Sequence, residues 1–256
     1  MATARAKTAT ELAAMRTGGQ KLAQILKELV EMVEPGAVPA DISAQAAKKI
    51  KTAGLLPVLL GYENFPDVMC ISVNQAIVHG RPPKTPIKSG DVVKLDLTVG
   101  YRSMIVDSAV TVIAGGSPPE ASRRLVAGTK AALDAGIAAI SGSGTRVGDI
   151  SAAVQDVLNK HRLGIIRDLV GHGVGYAIHE DPNIPNYGVA GTGPVLSAGM
   201  TIAIEPMATL GDWQIEILKD GWTVITRDGS LGAHFEHTVL ITQDGAEILT
   251  TLWPLA

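Results

Sequence analysis

Asp91-Val92-Val93-Lys94-Leu95-Asp96-Leu97-Thr98-Val99-Gly100-Tyr101-Arg102-Ser103-Met104-Ile105-Val106-Asp107-Ser108-Ala109-Val110-Thr111-Val112-Ile113 reads as a β-hairpin. β-Branched residues and leucines alternate with polar residues on both sides of a turn near Tyr101-Arg102. Aspartate is depleted in strands, so Asp96 and Asp107 each need a reason to be there. With the turn centred on Tyr101-Arg102, the two aspartates face each other directly, and like charges in that position destabilise a strand pair. A proton, a neighbouring cation or a bound metal must offset the repulsion, unless one of the two lies at a solvated edge.

Working outward, two helices precede the hairpin. Thr8 and Glu11 have the spacing of a capping box, and Leu12, Met15, Leu22, Ile25, Leu26, Leu29 and Val33 form an apolar stripe up to Pro35-Gly36. A second helix runs from about Asp41 to Gly54. After the hairpin the pattern restarts. Ser117-Pro118-Pro119-Glu120, which combines capping-box spacing with proline at a helix start, opens a helix that ends near Ser141, and another runs from about Asp149 to just before Gly164. The tetrapeptide Asp-Ile-Ser-Ala occurs at 41–44 and again at 149–152, each time opening the second helix of a pair. This order predicts an α+β fold of two similar halves, about 8–113 and 117–256, with a site between them. No Ser/Gly-rich or charge-rich linker divides the halves, so residues 1–256 read as a single domain.

Composition narrows the function. The 256 residues are 46% hydrophobic and 18% charged, with 22 Lys+Arg against 25 Asp+Glu and a net charge of −3. A balance so close to neutral gives no pull toward nucleic acid or an anionic membrane. The single cysteine, Cys70, excludes an intrachain disulfide and a cysteine-built metal cluster. No apolar run approaches the roughly 18 residues of a membrane-spanning helix. The segment from Met1 to Met15 lacks the apolar core of a secretory signal, so the expected setting is cytoplasmic. Nucleophile-elbow, P-loop and dinucleotide-binding glycine motifs are missing from the sequence.

Other candidate residues lie downstream. Gly171-His172-Gly173-Val174-Gly175-Tyr176-Ala177-Ile178-His179 places two histidines in a glycine-rich stretch that permits close backbone approach. The spacing is not that of the helical His-Glu-x-x-His motif, and either histidine could be a ligand or a satisfied buried residue. Glu205 ends the apolar strand Met200–Ile204, and Glu236 enters the strand Val239–Ile241. Acids in such places are uncommon unless capped, paired or metal-bound. Two Asp, two Glu and one or two His make an oxygen-rich site suited to Mn, Fe, Co or Zn, and four carboxylates can hold two divalent ions close together. His79 carries little signal alone.

Taken together, these motifs resemble those of the type I methionine aminopeptidases of the pita-bread metallopeptidase fold. The resemblance covers nearly the whole chain: Met15-Arg16, Gly61-Tyr62, Phe65-Pro66, Cys70-Ile71-Ser72, Asn74, His79-Gly80, Asp96, Asp107, the stretch Gly171–Tyr187, Ile204-Glu205-Pro206-Met207 and Glu236-His237-Thr238. It implies two pseudo-symmetric halves, antiparallel strands around a central dinuclear metal site, and helices outside. It also implies that Asp96, Asp107, His172, Glu205 and Glu236 ligate two divalent ions (Mn, Fe, Co or Zn). Glu205 would shuttle the proton, and His179 and His79 would contact the substrate and its developing oxyanion. Tyr62, Phe65, Cys70 and Trp222 would line an apolar pocket for a methionine side chain. The implied partners are the N-terminal residues of nascent proteins or peptides, handled by a monomer.

Several positions depart from the family pattern. His234 stands where glutamine is usual, Ile178 where a large aromatic is usual, and Val170 where an aromatic or Met is usual; Glu63 and Asn64 are atypical beside the pocket. All five candidate ligands remain, so peptide hydrolysis is expected, with side-chain specificity broadened around Ile178 and His234. Enzymes of this fold that cleave X-Pro bonds are an alternative, but they usually carry Arg-Ile-Glu-Asp where this chain has Phe235-Glu236-His237, and an extra N-terminal domain. A non-catalytic binding module would have lost ligands. Residues 180–204 leave no space for the helical insertion of type II enzymes between His179 and Glu205.

Overall fold

A computed structural model describes residues 5–251, so residues 1–4 and 252–256 of the chain read above lie outside the described residues. Among the described residues four α-helices form: α1 (Ala9–Val30), α2 (Pro39–Thr52), α3 (Glu120–Ala138) and α4 (Val147–Lys160). The capping box at the start of α1 is present. Thr8 Oγ1 accepts from the Glu11 amide at 3.3 Å, and Glu11 Oε2 accepts from the Thr8 amide at 2.7 Å. The helix stops at Val30, short of Pro35-Gly36, so Val33 packs from a turn. Ser117 does not cap α3. Pro119 takes the N-cap position without a side-chain hydrogen bond, and Glu120 pairs with Arg123 one turn on. Both α2 and α4 start two residues before the repeated tetrapeptide, so Asp41 and Asp149 are each the third residue of a helix of the same length. At Asp149 the reason is visible: its carboxylate accepts from the Arg146 and Gly191 amides, closing the helix start.

A nine-stranded antiparallel sheet runs through the middle. Its main path is Leu56–Pro57, Val92–Tyr101, Met104–Ile113, Glu236–Ile241, Thr201–Ile204, Gly171–Gly173, Glu180–Ile184, with Cys70–Val73 and Ala246–Ile248 attached at the sides. The hairpin is the one read from sequence, but its turn lies one residue later. Arg102 and Ser103 occupy the turn with φ of 47° and 66°, and Tyr101 pairs with Met104. Asp96 therefore faces Ala109, and Asp107 faces Thr98; the direct Asp96–Asp107 pairing is wrong. Moving a turn by one residue shifts every partner by two positions, which leaves both aspartates on the same face as diagonal neighbours.

Helix α1 covers the back of the hairpin with Met15, Leu22, Leu26 and Leu29, all buried. At Gly18 an added Cβ would sit 3.2 Å from the Tyr101 side chain, so a small residue sets how closely helix and hairpin approach. Helices α3 and α4 pack on each other, and Gly136 would clash with Val154 if it carried a Cβ. The largest buried apolar cluster draws on both helix pairs and the sheet, including Leu22, Ile42, Leu133, Ile150 and Val239. No helix among the described residues is long and apolar enough to cross a membrane.

Candidate metal centre

Strand register brings the acids together. Cys70 and Ala109 both pair with Asp96, and Ala109 also pairs with Glu236, so Cys70, Asp96, Ala109 and Glu236 form one row on one face of the sheet. Ala109 places only a methyl group between the two carboxylates. A second row runs beside it: Asp107 opposes Thr98, and farther along the sheet Thr238 and His172 both pair with Ala203. Thr238 Oγ1 accepts from the Asp107 amide and donates to the Asp107 carbonyl, each at 2.8 Å. Glu205 follows directly on the strand Thr201–Ile204.

Ligand atoms of Asp107, His172 and Glu236 lie within 4.8 Å of one another, and all three residues are buried. Thr98 Oγ1 donates to Asp107 Oδ1 at 2.9 Å and fixes that carboxylate. His172 Nδ1 lies 2.9 Å from the Gly173 carbonyl. A carbonyl only accepts, so Nδ1 carries a proton; against burial, Glu205 raises the His172 pKa and favours a second proton on Nε2, the one an electrophile there would displace. Nε2 lies 3.3 Å from Glu205 Oε1, and on the other side of that carboxylate His234 Nε2 lies 3.4 Å from Oε2. The glycines around His172 serve close approach: a Cβ on Gly171 would lie 2.4 Å from the Ala203 carbonyl oxygen, and one on Gly173 2.2 Å from that of Asp181.

Electrostatics favour a cation. Burial, then the nearby carboxylates, push the pKa values of Asp96 and Glu236 well above the usual carboxylate range. Burial raises Asp107 as well, partly offset by His172 and Thr98. Burial opposes ionisation of Glu205 too, but the close imidazoles of His172 and His234 outweigh it and hold that carboxyl at about 2. Glu236 Oε1 is buried with no hydrogen-bond partner. Crowded carboxylates, an orphaned carboxylate oxygen and an imidazole nitrogen fit a divalent cation, and oxygen-rich donors with one imidazole suit a first-row metal.

The cavity in front of these acids measures about 450 Å³, and every residue expected from the sequence to form the site lines it: Tyr62, Phe65, Cys70, His79, Asp96, Asp107, His172, Ile178, His179, Glu205, Trp222, His234 and Glu236. Phe65 and Trp222 meet edge to face at 5.1 Å and build an apolar wall. Burial keeps the Cys70 thiol protonated, so it lines the cavity as a neutral group. His79 holds a left-handed backbone with φ of 55°, a costly conformation for a residue with a side chain. Tyr62 Oη lies 3.3 Å from His179 Nδ1, and burial brings the His179 pKa down to about 4. Glu63, read from the sequence as beside the pocket, does line it, whereas Thr98, Leu59, Leu169, Ile217, Gly221 and Val224 in the lining carried no assignment from sequence. Thr98 had a usable signal, lying two residues from Asp96 on the same strand face.

The loop carrying His179 has its own anchor. Lys7 Nζ and Glu180 Oε2 form an ion pair of 2.7 Å with side chains 1% and 0% exposed, and Glu180 Oε1 accepts from the amides of Tyr176 and Ala177. Removing one partner of a buried pair strands the other charge, so Lys7→Met should cost about 3–5 kcal/mol in urea denaturation, and Lys7→Met with Glu180→Leu should recover much of that. A single variant as stable as the parent would show that the pair does not anchor the loop.

Known proteins resemble this chain over nearly its whole length. The profile described as metallopeptidase family M24 matches residues 13–243. Methionine aminopeptidase A of Synechocystis is 40% identical over 241 residues, 94% of each chain. The crystal structure of a Thermotoga maritima methionine aminopeptidase superposes with a TM-score of 0.94 at 43% identity, covering 97% of this chain and all of that one. A prolidase from Pyrococcus furiosus shares the fold, with a TM-score of 0.75 at 24% identity over 65% of its length.

Proposed function

The chain belongs to metallopeptidase family M24, and on that premise we propose that it is a methionine aminopeptidase, hydrolysing the first peptide bond of proteins and peptides to release N-terminal methionine. Its fold is the pita-bread arrangement of that family. We read residues 1–256 as one domain whose two halves contribute strands to a shared site, and which works as a single chain. The lone cysteine, with no disulfide to form, suits the cytoplasm, where nascent chains expose their first residue.

The reading is carried by one observation: carboxylates, imidazoles and the Phe65–Trp222 wall line one cavity. In this reading Asp96, Asp107, His172, Glu205 and Glu236 would hold two divalent ions. When bound, such ions polarise a carbonyl and bring a water to reactivity at neutral pH. Glu205, ionised near neutrality, takes up a proton from the attacking water at its carboxylate and passes it to the departing amine. His179 stays neutral at physiological pH. The Tyr62 hydroxyl remains protonated, since burial raises its pKa, and in the tautomer in which it donates to Nδ1 the ring presents Nε2–H toward the carbonyl oxygen. His79 lines the same cavity from the opposite half and is kept neutral by burial. The free amine of the substrate meets the acidic end, which restricts cleavage to the first bond. Phe65, Trp222, Cys70 and Ile178 take the first side chain.

Ile178 is unable to grip a thioether with a ring face, so selectivity rests on shape. Protein reconstituted with divalent metal should cleave Met-Ala peptides and also Leu-Ala peptides, with a preference for Met below about 100-fold, the discrimination available from small differences in apolar fit. X-Pro peptides should be poor substrates. Fastest turnover of X-Pro peptides would replace this reading with that of the prolidase-like relatives, and metal binding without turnover of any peptide would identify a binding module.

A further inference from the structure

His234 is a buried imidazole whose charged neighbour is Glu205, with Nε2 3.4 Å from Oε2. Its residue is 2% exposed, and neither Nδ1 nor Nε2 has a hydrogen-bond partner. Its backbone is locked, because Thr111 Oγ1 accepts from the His234 amide at 2.9 Å and also donates to the His234 carbonyl. The ring is thereby held in the cavity beside Glu205, with Nε2 3.4 Å from Oε2 but outside hydrogen-bond geometry. That separation has another meaning. Two donors each bound at roughly 2.0–2.2 Å to one ion, at angles between square and tetrahedral, lie roughly 3–3.5 Å apart. The pair His172 Nε2 and Glu205 Oε1 has the same kind of spacing, 3.3 Å. Glu205 thus has an imidazole nitrogen at ligand spacing from each of its two oxygens.

We propose that His234 is a metal ligand through Nε2, sharing an ion with Glu205 Oε2, so that this centre carries two imidazoles and six protein ligands. The assignment rests on the metal-centre reading above and adds a residue to it. A second neutral nitrogen donor on one ion shifts that position toward borderline metals such as Fe, Co and Zn and away from Mn.

Metal-stripped wild type, His234→Gln and His234→Ala are titrated with Co(II) by calorimetry, and the Zn(II)-loaded proteins are compared by X-ray absorption for imidazole scattering. Circular dichroism and thermal melts of the stripped proteins confirm that the variants fold. Loss of a supporting contact weakens metal binding by about 10–100-fold. Loss of a ligand should weaken one of the two ions in His234→Ala by about 100-fold or more, and reduce the imidazole count from two to one in both variants. Wild-type affinity, or a smaller loss with the imidazole count unchanged, overturns the assignment and leaves the five-residue centre standing. A wild type that takes up no divalent ion overturns the metal-centre reading and this inference together.

Discussion

Glu205→Gln lowers kcat/KM for a Met-initiated peptide by about 10²–10⁴-fold, the range that a positioned proton-transfer group contributes. The substitution keeps the volume of the side chain and an oxygen facing the imidazoles of His172 and His234, but removes the charge and the basicity. The wild-type carboxyl, held at about 2 between those rings, is ionised throughout the neutral range and ready to accept a proton. The variant amide accepts none. Metal content measured alongside the kinetics separates the two ways of failing, since a variant that holds its ions yet turns over slowly has lost proton transfer and not the centre. Full activity in a metal-loaded Glu205→Gln protein would remove Glu205 from the chemistry.

Removal of divalent ions has the second large effect. Chelation should reduce peptide cleavage to background, and re-addition of Mn, Co, Fe or Zn should restore it. It should also change how stability depends on pH. Burial and mutual repulsion raise Asp96 and Glu236 well above their ordinary values of 3.8 and 4.5, so between those values and the raised ones the folded protein holds more protons than the unfolded chain. Stability of the ion-free protein therefore falls as pH rises through that window. Two histidines pull the other way at lower pH. His179 and His237 are held at about 4 against 6.5 when unfolded, so their contribution is complete above 6.5 and is lost as pH drops toward 4. Above 6.5 His172, raised by Glu205 against its burial, acts in the same direction as the carboxylates, while Lys94, held well below 10.5 by burial, acts against them. Glu236→Gln should therefore flatten the fall of stability with rising pH in the stripped protein and raise the melting temperature of the ion-free form, and melts of the loaded protein should depend less on pH than those of the stripped one. A Glu236→Gln protein with the parent's slope and melting temperature would contradict the crowding of these acids.

Residue chemistry made much of this readable from sequence, and where it failed the cause is local. Thr8 and Glu11 form the box that their spacing foretells, because both side chains reach backbone amides without help from the rest of the fold. The hairpin turn was misplaced because Arg102-Ser103 carries none of the Asn-Gly or Asp-Gly character that positive φ at both turn positions favours. The error leaves the site intact, since the face is conserved under a two-residue shift of partners. Ser117 misled for the opposite reason: the motif was present, but Pro119 took the end of the helix. Lys7 and Glu180 are separated by most of the chain, and neither position has a pattern that would announce a buried pair. The acids stood out because charge is costly inside apolar strands, so a sequence that retains it there discloses a use for it.

The order of strands across the sheet has a consequence for how the protein comes into being. Asp96 and Asp107 belong to a local hairpin that can pair as soon as residues 91–113 exist, whereas His172, Glu205 and Glu236 come from strands that close over long stretches of chain. Contacts between distant segments form late, because loop-closure entropy must be overcome first. An early chain therefore offers a cation two of the candidate carboxylates and neither His172 nor His234, a weak and unselective grip. The full donor set appears only once Glu236–Ile241 has inserted between the hairpin and the strand Thr201–Ile204. If these residues hold a metal as proposed, tight ion capture would mark the completion of folding and could not template its beginning.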